Sequence, residues 1–251
     1  MTYPIDISEE AGVRYLHFGS SWIQGAMRIA RPWNLELEYT REMMASLLLR
    51  DPKHWPRRVL LIGLGAASLT KFIYRYLPLA HLTIVEIEPA VVAAARQFFK
   101  LPEDPKRIHL IIGDGAEYVL GHDKKFDLIL VDGFNEHAHP GELNTLPFYQ
   151  ACRSRLSDQG ILATNLIGLS RGVLGGFAYI LNAFDDRALL FPSCASGNKI
   201  AVAAAGEPVA LSMEELKEAA LQLKENTGLN LTPTLTRLVQ AKTCHNDTLT
   251  L

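Results

Sequence analysis

Short apolar runs and helical patterns alternate along the middle of the chain, from about residue 57 to residue 205. Each apolar run has the length of a strand that is buried on both faces, and the segments between the runs carry apolar residues at helical spacing. This alternation predicts an α/β fold in which helical crossovers join the strands of a mostly parallel sheet. The predicted strands are Val59–Ile62, the run that ends at Glu86, Ile108–Ile112, Phe126–Val131, Ile161–Asn165, Ala188–Phe191 and Lys199–Ala204.

The last two predicted strands are separated only by the loop from Pro192 to Asn198, which indicates an antiparallel hairpin. A sheet that ends in such a hairpin is typical of class I methyltransferases. We therefore predict an α/β, Rossmann-like fold of the class I methyltransferase type, with a seven-stranded sheet and helices on both faces.

A different pattern precedes this core. Residues 12–30 alternate apolar and polar side chains around the turn residues 19–21, which predicts a β-hairpin. An amphipathic helical pattern follows from Pro32. We expect residues 1–50 to form a small cap of hairpin and helix, and residues 51–205 to form the Rossmann-like domain.

The end of the chain carries one clear helical signal. Ser212 is followed three residues later by Glu215, which is the pattern of a capping box, and an amphipathic run then extends to Gly228. We expect residues 206–251 to form a helical tail whose final residues, TCHNDTLTL, are loosely held.

Two closely spaced glycines follow the first strand of the core. Gly63 and Gly65 come directly after Ile62 and before a helical pattern, as in a loop that turns sharply and lets its backbone approach a ligand. The second strand ends on Glu86, 23 positions after Gly63, where a carboxylate can accept both hydroxyls of a ribose. Together these residues indicate a ligand that contains a nucleoside. We therefore expect residues 51–205 to be a nucleoside-binding catalytic domain.

Two further acids follow the third and fourth strands. Asp114, with Gly115 beside it, comes soon after Ile112, and Asp132 comes directly after Val131. Open α/β sheets bind ligands at these carboxyl ends. A nicotinamide cofactor needs no such pair, whereas S-adenosylmethionine or its decarboxylated form could use one acid at the adenine amino group and another facing a cation. In the alternative interpretation, Asp114 caps a helix and Asp132 starts a turn.

Composition narrows the possible partners. The chain has 251 residues, 48% of them hydrophobic, and a formal net charge of −2, so we expect an enzyme domain that does not bind nucleic acid. The three cysteines lack metal-type spacing, and His137 and His139 have no evident third ligand, so we expect no metal. No apolar run reaches the roughly 18 residues of a membrane span. We expect a cytoplasmic protein without a membrane partner.

Several motifs, in their order and spacing, resemble the spermidine synthase (polyamine aminopropyltransferase) family. The resemblance extends from about residue 13 to residue 205. Upstream, Ile23-Gln24 is similar to the family's IQ pair at the end of a hairpin, and the segment from Glu38 to Met43 is similar to the start of its tyrosine-bearing helix. The core motifs are VLLIGLGAASLTKF, VEIEP, GDGAEYV, FDLILVDGF and LPFYQACRSRLSDQGILATN.

The resemblance implies binding roles for the first three loops of the core. Gly63, Gly65 and Gly115 would shape the backbone around the co-substrate, Glu86 would bind its ribose, and Asp114 would bind its adenine amino group.

The resemblance also implies a reaction. An aminopropyl group would move from decarboxylated S-adenosylmethionine to an amine such as putrescine, without a metal. The attacking amine must lose a proton and be held in line with the carbon beside the sulfonium. Asp132 would be the base, and Gln24 and Tyr39 would shape the amine channel.

The chain departs from the family pattern near the amine. Ala66 stands where members carry an aspartate in the first loop, and Asn135 stands where a second aspartate follows the fourth strand. Polyamines carry several positive charges, and fixed carboxylates offset the cost of removing those charges from water. Three functions therefore stay open: aminopropyl transfer, methyl or other transfer from S-adenosylmethionine, and nucleoside binding without catalysis.

The resembled family is commonly dimeric, and the cap offers apolar side chains for a contact. Trp22, Met27 and Trp33 are the candidates for an exposed apolar surface. We expect a homodimer, the commonest soluble oligomer, with a small-molecule amine as substrate.

Overall fold

An antiparallel sheet and a short helix lead into the core. The hairpin predicted at residues 12–30 is confirmed, and an additional strand, which the sequence analysis missed, pairs with its first strand. Ser21, in the predicted turn, lies outside the described residues. The elements are β1 (Ile5–Glu10), β2 (Val13–Phe18), β3 (Gly25–Arg28) and α1 (Glu38–Met43), which continues as a 3-10 helix at Met44–Leu49. The structure, a computed structural model, describes residues 4–20, 22–135, 137–167, 170–192, 194, 197–241, 243–244 and 246–251, without the side chains of residues 170 and 171.

The helix of the cap begins later than the sequence predicts. Residues 31–37 form turns and irregular backbone instead, and the N–H of Asn34 donates to the carbonyl of Arg31. The Arg28 guanidinium pairs with the Glu36 carboxylate, with 3.0 Å between Nε and Oε2. Arg41 Nη1 also donates to the carbonyls of Leu35 and Glu36, so side-chain contacts hold the segment in its non-helical path, and α1 starts only at Glu38.

Seven strands of the described chain form the central sheet, as predicted. They are β4 (Arg58–Ile62), β5 (His81–Glu86), β6 (Ile108–Ile112), β7 (Phe126–Val131), β8 (Leu156–Leu166), β9 (Ala188–Leu190) and β10 (Lys199–Ala204). Their spatial order is β6–β5–β4–β7–β8–β10–β9. The pairs from β6 to β8 are parallel, and β10 is antiparallel to both neighbours, which confirms the terminal hairpin. In its loop, Ser193, Ala195 and Ser196 lie outside the described residues.

Helices cover both faces of the sheet. Along β4, Val59 and Leu61 join one buried apolar cluster, whereas Leu60 and Ile62 join another on the opposite face. Burial on both faces explains why the strands read as continuous apolar runs. The crossover helices are α2 (Ser68–Tyr76) and α3 (Pro89–Phe98) on the first face, and α4 (Gly115–Gly121), α5 (Leu146–Arg155) and α6 (Ser170–Ala183) on the second.

The carboxyl tail is more firmly held than the sequence predicts. The helix after Ser212 begins at the predicted capping box and ends at Gly228, whose φ is 77°. The expectation of a loosely held end was wrong for residues 248–251, because a short strand there pairs with the strand before the helix, and Leu249 and Leu251 are buried. His245, in the same segment, lies outside the described residues. The tail consists of β11 (Ala210–Ser212), α7 (Met213–Thr227), α8 (Thr232–Gln240) and β12 (Thr248–Thr250). No helix in the described part of the chain has the length and apolar character needed to cross a bilayer.

Candidate functional site

A cleft of about 1240 Å³ opens over the carboxyl ends of β4, β5 and β7 and the loop after β6. The core strands supply its floor, and the cap supplies one wall. The structure brings all the predicted site residues to this one cleft. They are Gln24, Tyr39, Gly63, Gly65, Glu86, Asp114, Gly115 and Asp132.

The glycine loop passes very close to the end of β7. Gly63 has a φ of 92°, and a Cβ built on it would lie 2.2 Å from the carbonyl oxygen of Asp132. Any other residue would therefore displace the backbone that carries Asp132. Gly65 also has a positive φ, of 50°. Gly63 therefore needs glycine for both conformation and space, whereas Gly65 needs it mainly for conformation, since a Cβ there would lie 3.3 Å from the carbonyl oxygen of Gln24.

Glu86 is buried at the end of β5, and backbone groups fix its carboxylate. Oε2 accepts from the N–H of Leu64 at 2.8 Å, and Oε1 accepts from the N–H of Glu88 at 3.0 Å. Burial raises the pKa of the Glu86 carboxyl, and these backbone hydrogen bonds oppose the shift. Each oxygen keeps a lone pair, so the carboxylate can still accept from a pair of hydroxyls.

Asp114 is the N-cap of α4 and also lines the cleft. Its Oδ1 accepts from the N–H groups of Ala116 and Glu117, at 2.7 and 3.0 Å. The hydrogen bonds of the cap use Oδ1, which leaves Oδ2 for a donor in the cleft. The capping and binding interpretations of this residue are therefore compatible.

Asp132 is held by two side chains from other elements. Its Oδ2 accepts from the Tyr39 hydroxyl at 3.0 Å, and its Oδ1 accepts from the Asn165 amide at 2.9 Å. Burial raises the pKa of the Asp132 carboxyl, and the hydrogen bonds from Asn165 and Tyr39 oppose this rise. Burial and the adjacent Asp132 charge raise the pKa of Tyr39, so its hydroxyl stays a donor near neutral pH.

Two buried asparagines extend this arrangement, and the sequence analysis did not assign either to the site. The Asn198 amide nitrogen donates to Asn165 Oδ1 at 2.9 Å, which orients the Asn165 amide toward Asp132. Both side chains line the cleft. Asn165 was visible as a polar residue ending an apolar run, the same signal that selected Asp132. The position of Asn198 depends on the antiparallel return of β10 beside β8.

The lining of the cleft is acidic. The described lining residues include no lysine or arginine, so the cleft suits a cationic ligand better than an anionic one. Elsewhere, the described residues contain no group of three potential ligands that could hold a metal ion. The acids of the lining are Glu38, Glu86, Glu88, Asp114, Asp132 and Glu142.

The two positions at which the resemblance led us to expect acids differ in their surroundings. Ala66 is buried, and a Cβ built on Gly25 would lie 2.6 Å from its methyl group. Asn135 is exposed at the cleft mouth, where its Oδ1 accepts from the N–H groups of His137 and His139, both at 2.9 Å. A carboxylate at position 135 would therefore be exposed, whereas one at position 66 would start from a buried position in close contact with Gly25.

The cap surface is partly as predicted. Trp22 is 56% exposed at the cleft mouth, and its neighbour Ile23 is 49% exposed. Met27, which the sequence analysis expected to be exposed, is buried because β3 faces the apolar cluster of the core. Trp33 is half-buried, with the Arg75 guanidinium 6.0 Å from its ring centre.

The fold and cleft define an α/β protein of the methyltransferase type, with an acidic cleft at the carboxyl ends of its strands. Its sequence matches the model of the spermine/spermidine synthase domain over residues 36–166. A polyamine aminopropyltransferase of Chromobacterium violaceum is 36% identical over 236 residues, which cover 94% of this chain and 89% of that protein. The chain belongs to the spermine/spermidine synthase family, as the motifs indicated.

Solved structures give the same fold. A probable spermidine synthase from Corynebacterium glutamicum superposes with a TM-score of 0.72 at 18% identity, covering 88% of this chain and 83% of that one. Human methyltransferase-like protein 13, solved in complex with SAH, gives a TM-score of 0.66 at 26% identity, covering 76% and 93%. The fold is thus shared by aminopropyltransferases and methyltransferases.

Proposed function

We propose that this protein transfers an aminopropyl group from decarboxylated S-adenosylmethionine to an amine such as putrescine. The family membership supports the class of reaction. The observation that carries the proposal is the Asp132 carboxylate, held by Tyr39 and Asn165 in a cleft whose described lining contains acids and no lysine or arginine. Such a cleft favours a cationic donor and a cationic acceptor.

The binding half of the proposal assigns the nucleoside to the loops after β4, β5 and β6. Glu86 would accept from the two ribose hydroxyls, and Asp114 would accept from the adenine amino group through Oδ2. Gly63, Gly65 and Gly115 would let the backbone approach the ligand. The support is that all five residues line the cleft and that both carboxylates are already fixed by backbone donors.

The chemical half of the proposal assigns the proton transfer to Asp132. The amine nitrogen would attack the carbon beside the sulfonium, forming an N–C bond as the C–S bond breaks and methylthioadenosine leaves. Asp132 would take the proton that the amine must lose. The leaving thioether needs no acid. Tyr39 and Gln24 would hold the amine in line, which is the main contribution a site can make to a displacement of this kind.

Methyl transfer from S-adenosylmethionine is the second candidate, and the likeness to human methyltransferase-like protein 13 favours it. The charge of the cleft argues against it. The methionyl carboxylate of S-adenosylmethionine would meet acids at Glu38 and Asp132 and no described lysine or arginine in the lining. Its decarboxylated form lacks this carboxylate and keeps the ammonium group, so the conflict is removed and the attraction to the acids stays.

The deciding experiment incubates the protein with putrescine and either form of the donor, and measures the products by mass spectrometry. Spermidine and methylthioadenosine in equal amounts, formed only from the decarboxylated donor, are the expected result. S-adenosylhomocysteine formed from S-adenosylmethionine would favour the second candidate. Without either product, stabilisation by methylthioadenosine of about 2.7 kcal/mol at 100 times its dissociation constant would indicate binding without catalysis.

We also propose a homodimer that uses the cap surface around Trp22 and Ile23, which are both more than 45% exposed. Light scattering tests this directly, and a mass of only 27.8 kDa at micromolar concentration would reject it. The division into cap, catalytic domain and tail at residues 50 and 205, and the cytoplasmic location, stay predictions.

A further inference from the structure

The helix that carries Tyr39 is too short to hold its own position. α1 has six residues, and its N-cap residue, Leu37, makes no side-chain capping hydrogen bond. Isolated helices of this length are unstable in water, so tertiary contacts must fix α1. The direction of the Tyr39 hydroxyl depends on those contacts.

One such contact comes from the carboxyl tail. Arg237, on α8, pairs through Nη1 with Glu38 Oε1 at 3.0 Å and donates through Nη2 to Glu42 Oε1. The two carboxylates lie four residues apart on α1 and flank Tyr39. One guanidinium therefore joins two successive turns of the helix, which suits the planar fork of arginine.

The contact with Glu42 is in a buried environment. The Glu42 side chain is 1% exposed, and its Oε2 has no hydrogen-bond partner among the described residues. Burial raises the pKa of the Glu42 carboxyl, and the hydrogen bond from Arg237 opposes the rise. Removing the hydrogen-bond partner of such a buried carboxylate is strongly destabilising, because it leaves an uncompensated charge.

We propose that Arg237 is a positioning residue of the cleft, which fixes α1 through Glu38 and Glu42 and so keeps the Tyr39 hydroxyl on Asp132. This inference rests on the proposed function only for the role of Asp132 as a base. Arg237 lies outside residues 36–166, which match the family model, so the tail contributes to a site that it does not line.

The consequence can be measured at Asp132. Tyr39 and Asn165 contact its carboxylate, the Cys194 thiol lies near Tyr39, and Glu38 and Glu86 line the same cleft. The hydrogen bond from Tyr39 lowers the pKa of Asp132. A displaced α1 would weaken that bond, so the pKa of Asp132 would rise.

The test compares Arg237→Met with Arg187→Met by carbon-13 NMR titration of the Asp132 carboxyl, assigned with Asp132→Asn. Arg187 is the matched control, because it donates to the tail carbonyls of Gly206 and Glu207 at 2.8 and 2.9 Å and is not among the partners of α1. Tyr39→Phe, which lacks the hydroxyl, gives the reference shift.

We expect Arg237→Met to raise the pKa of Asp132 in the same direction as Tyr39→Phe, while Arg187→Met leaves it unchanged. An unchanged titration in Arg237→Met, or an equal shift in Arg187→Met, overturns the proposal. If Arg237→Met does not fold, the double variant Arg237→Met/Glu42→Gln removes the unpaired buried charge. Its Asp132 titration is then compared with the same control and reference variants.

Turnover gives a second readout. With putrescine and the decarboxylated donor, Arg237→Met should lower kcat/KM by up to about a hundredfold, as for misplaced reacting groups. Its affinity for methylthioadenosine should stay at the wild-type value. If the wild-type protein shows no aminopropyl transfer, the proposed function fails, but the NMR titration still decides the role of Arg237.

Discussion

The two halves of the cleft are held by different kinds of contact. In the nucleoside half, as we name the loops proposed to bind the nucleoside and carrying Gly63, Glu86 and Asp114, backbone N–H groups fix the carboxylates from at most 22 positions away. In the amine half, as we name the part proposed to bind the amine, Asp132 is fixed by the side chains of Tyr39 and Asn165, which lie 93 and 33 positions away in the chain.

This difference has consequences for both sequence and function. A backbone donor is present whatever the side chain, so the nucleoside half tolerates substitutions around its acids. A side-chain donor is lost when one residue changes, so the amine half depends on Tyr39 and Asn165 individually. We therefore expect single substitutions beside Glu86 or Asp114 to disturb the site less than substitutions of Tyr39 or Asn165.

The largest expected effect is on the catalytic rate, and it should come from a change in the amine half alone. Asp132→Asn removes the proposed base but keeps the size of the side chain and an oxygen for the Tyr39 hydroxyl. We expect kcat to fall by about a hundred- to ten-thousandfold, as when a positioned base is lost. Calorimetry should show methylthioadenosine binding unchanged. Weaker nucleoside binding by this variant would mean that the two halves are not independent.

The second prediction concerns the affinity for the nucleoside rather than the catalytic rate. Glu86→Gln and Asp114→Ala should each weaken methylthioadenosine binding by about 1–3 kcal/mol, because each loses a hydrogen bond to a charged acceptor. Asp114→Ala also removes a helix cap, which alone costs about 0.5–2 kcal/mol of stability. Asp114→Asn keeps the capping oxygen and serves as the control. If Glu86→Gln and Asp114→Ala both bind methylthioadenosine with wild-type affinity, the proposed nucleoside site is wrong.

The pH dependence of turnover tests the amine half without a mutation. The base must be deprotonated, so kcat/KM should fall as the pH drops through the pKa of Asp132. Because burial raises this pKa, the fall should begin above the pH at which an ordinary aspartate titrates. Below it, the rate should decrease about tenfold per pH unit. A profile that is flat down to about pH 4 would exclude Asp132 as the base.

The two halves of the cleft could be predicted from the sequence to different extents, because their residues are held by contacts over different distances along the chain. The strands of the core, the glycine loop and the acids at the strand ends were predictable because each is a local pattern of a few residues. The hydrogen bond from Tyr39 to Asp132 and the alignment of Asn198 behind Asn165 were not, since they arise only when distant segments pack together. For the same reason β1 and the buried end of the tail were not predicted. Both depend on pairing with another strand, which the local sequence pattern does not indicate.

A smaller effect concerns the first departure from the family pattern. Ala66→Asp places a carboxylate against Gly25, where the methyl group is already buried. We expect a loss of about 1–3 kcal/mol in the free energy of unfolding, from overpacking and from an unpaired buried charge. Urea denaturation measures it, with Ala66→Gly as the control. An unchanged stability together with tighter putrescine binding would show that the new carboxylate reaches the cleft.

The smallest expected effect concerns Asn135, the second position at which the resemblance led us to expect an acid. It tests whether the amine half can gain a negative charge without losing its structure. Asn135→Asp keeps an oxygen that accepts from the N–H groups of His137 and His139, so the turn should persist. Because the side chain is exposed, an added ion pair with the amine is worth about 0.2–1 kcal/mol. The KM for putrescine should therefore fall by less than about fivefold, and salt should abolish this decrease in KM.

Glu142→Gln, which removes an exposed acid from the same mouth of the cleft, should raise the KM for putrescine instead. If the KM responds to neither variant at low salt, the charge of the rim has no part in recognising the amine, and the inner acids act alone.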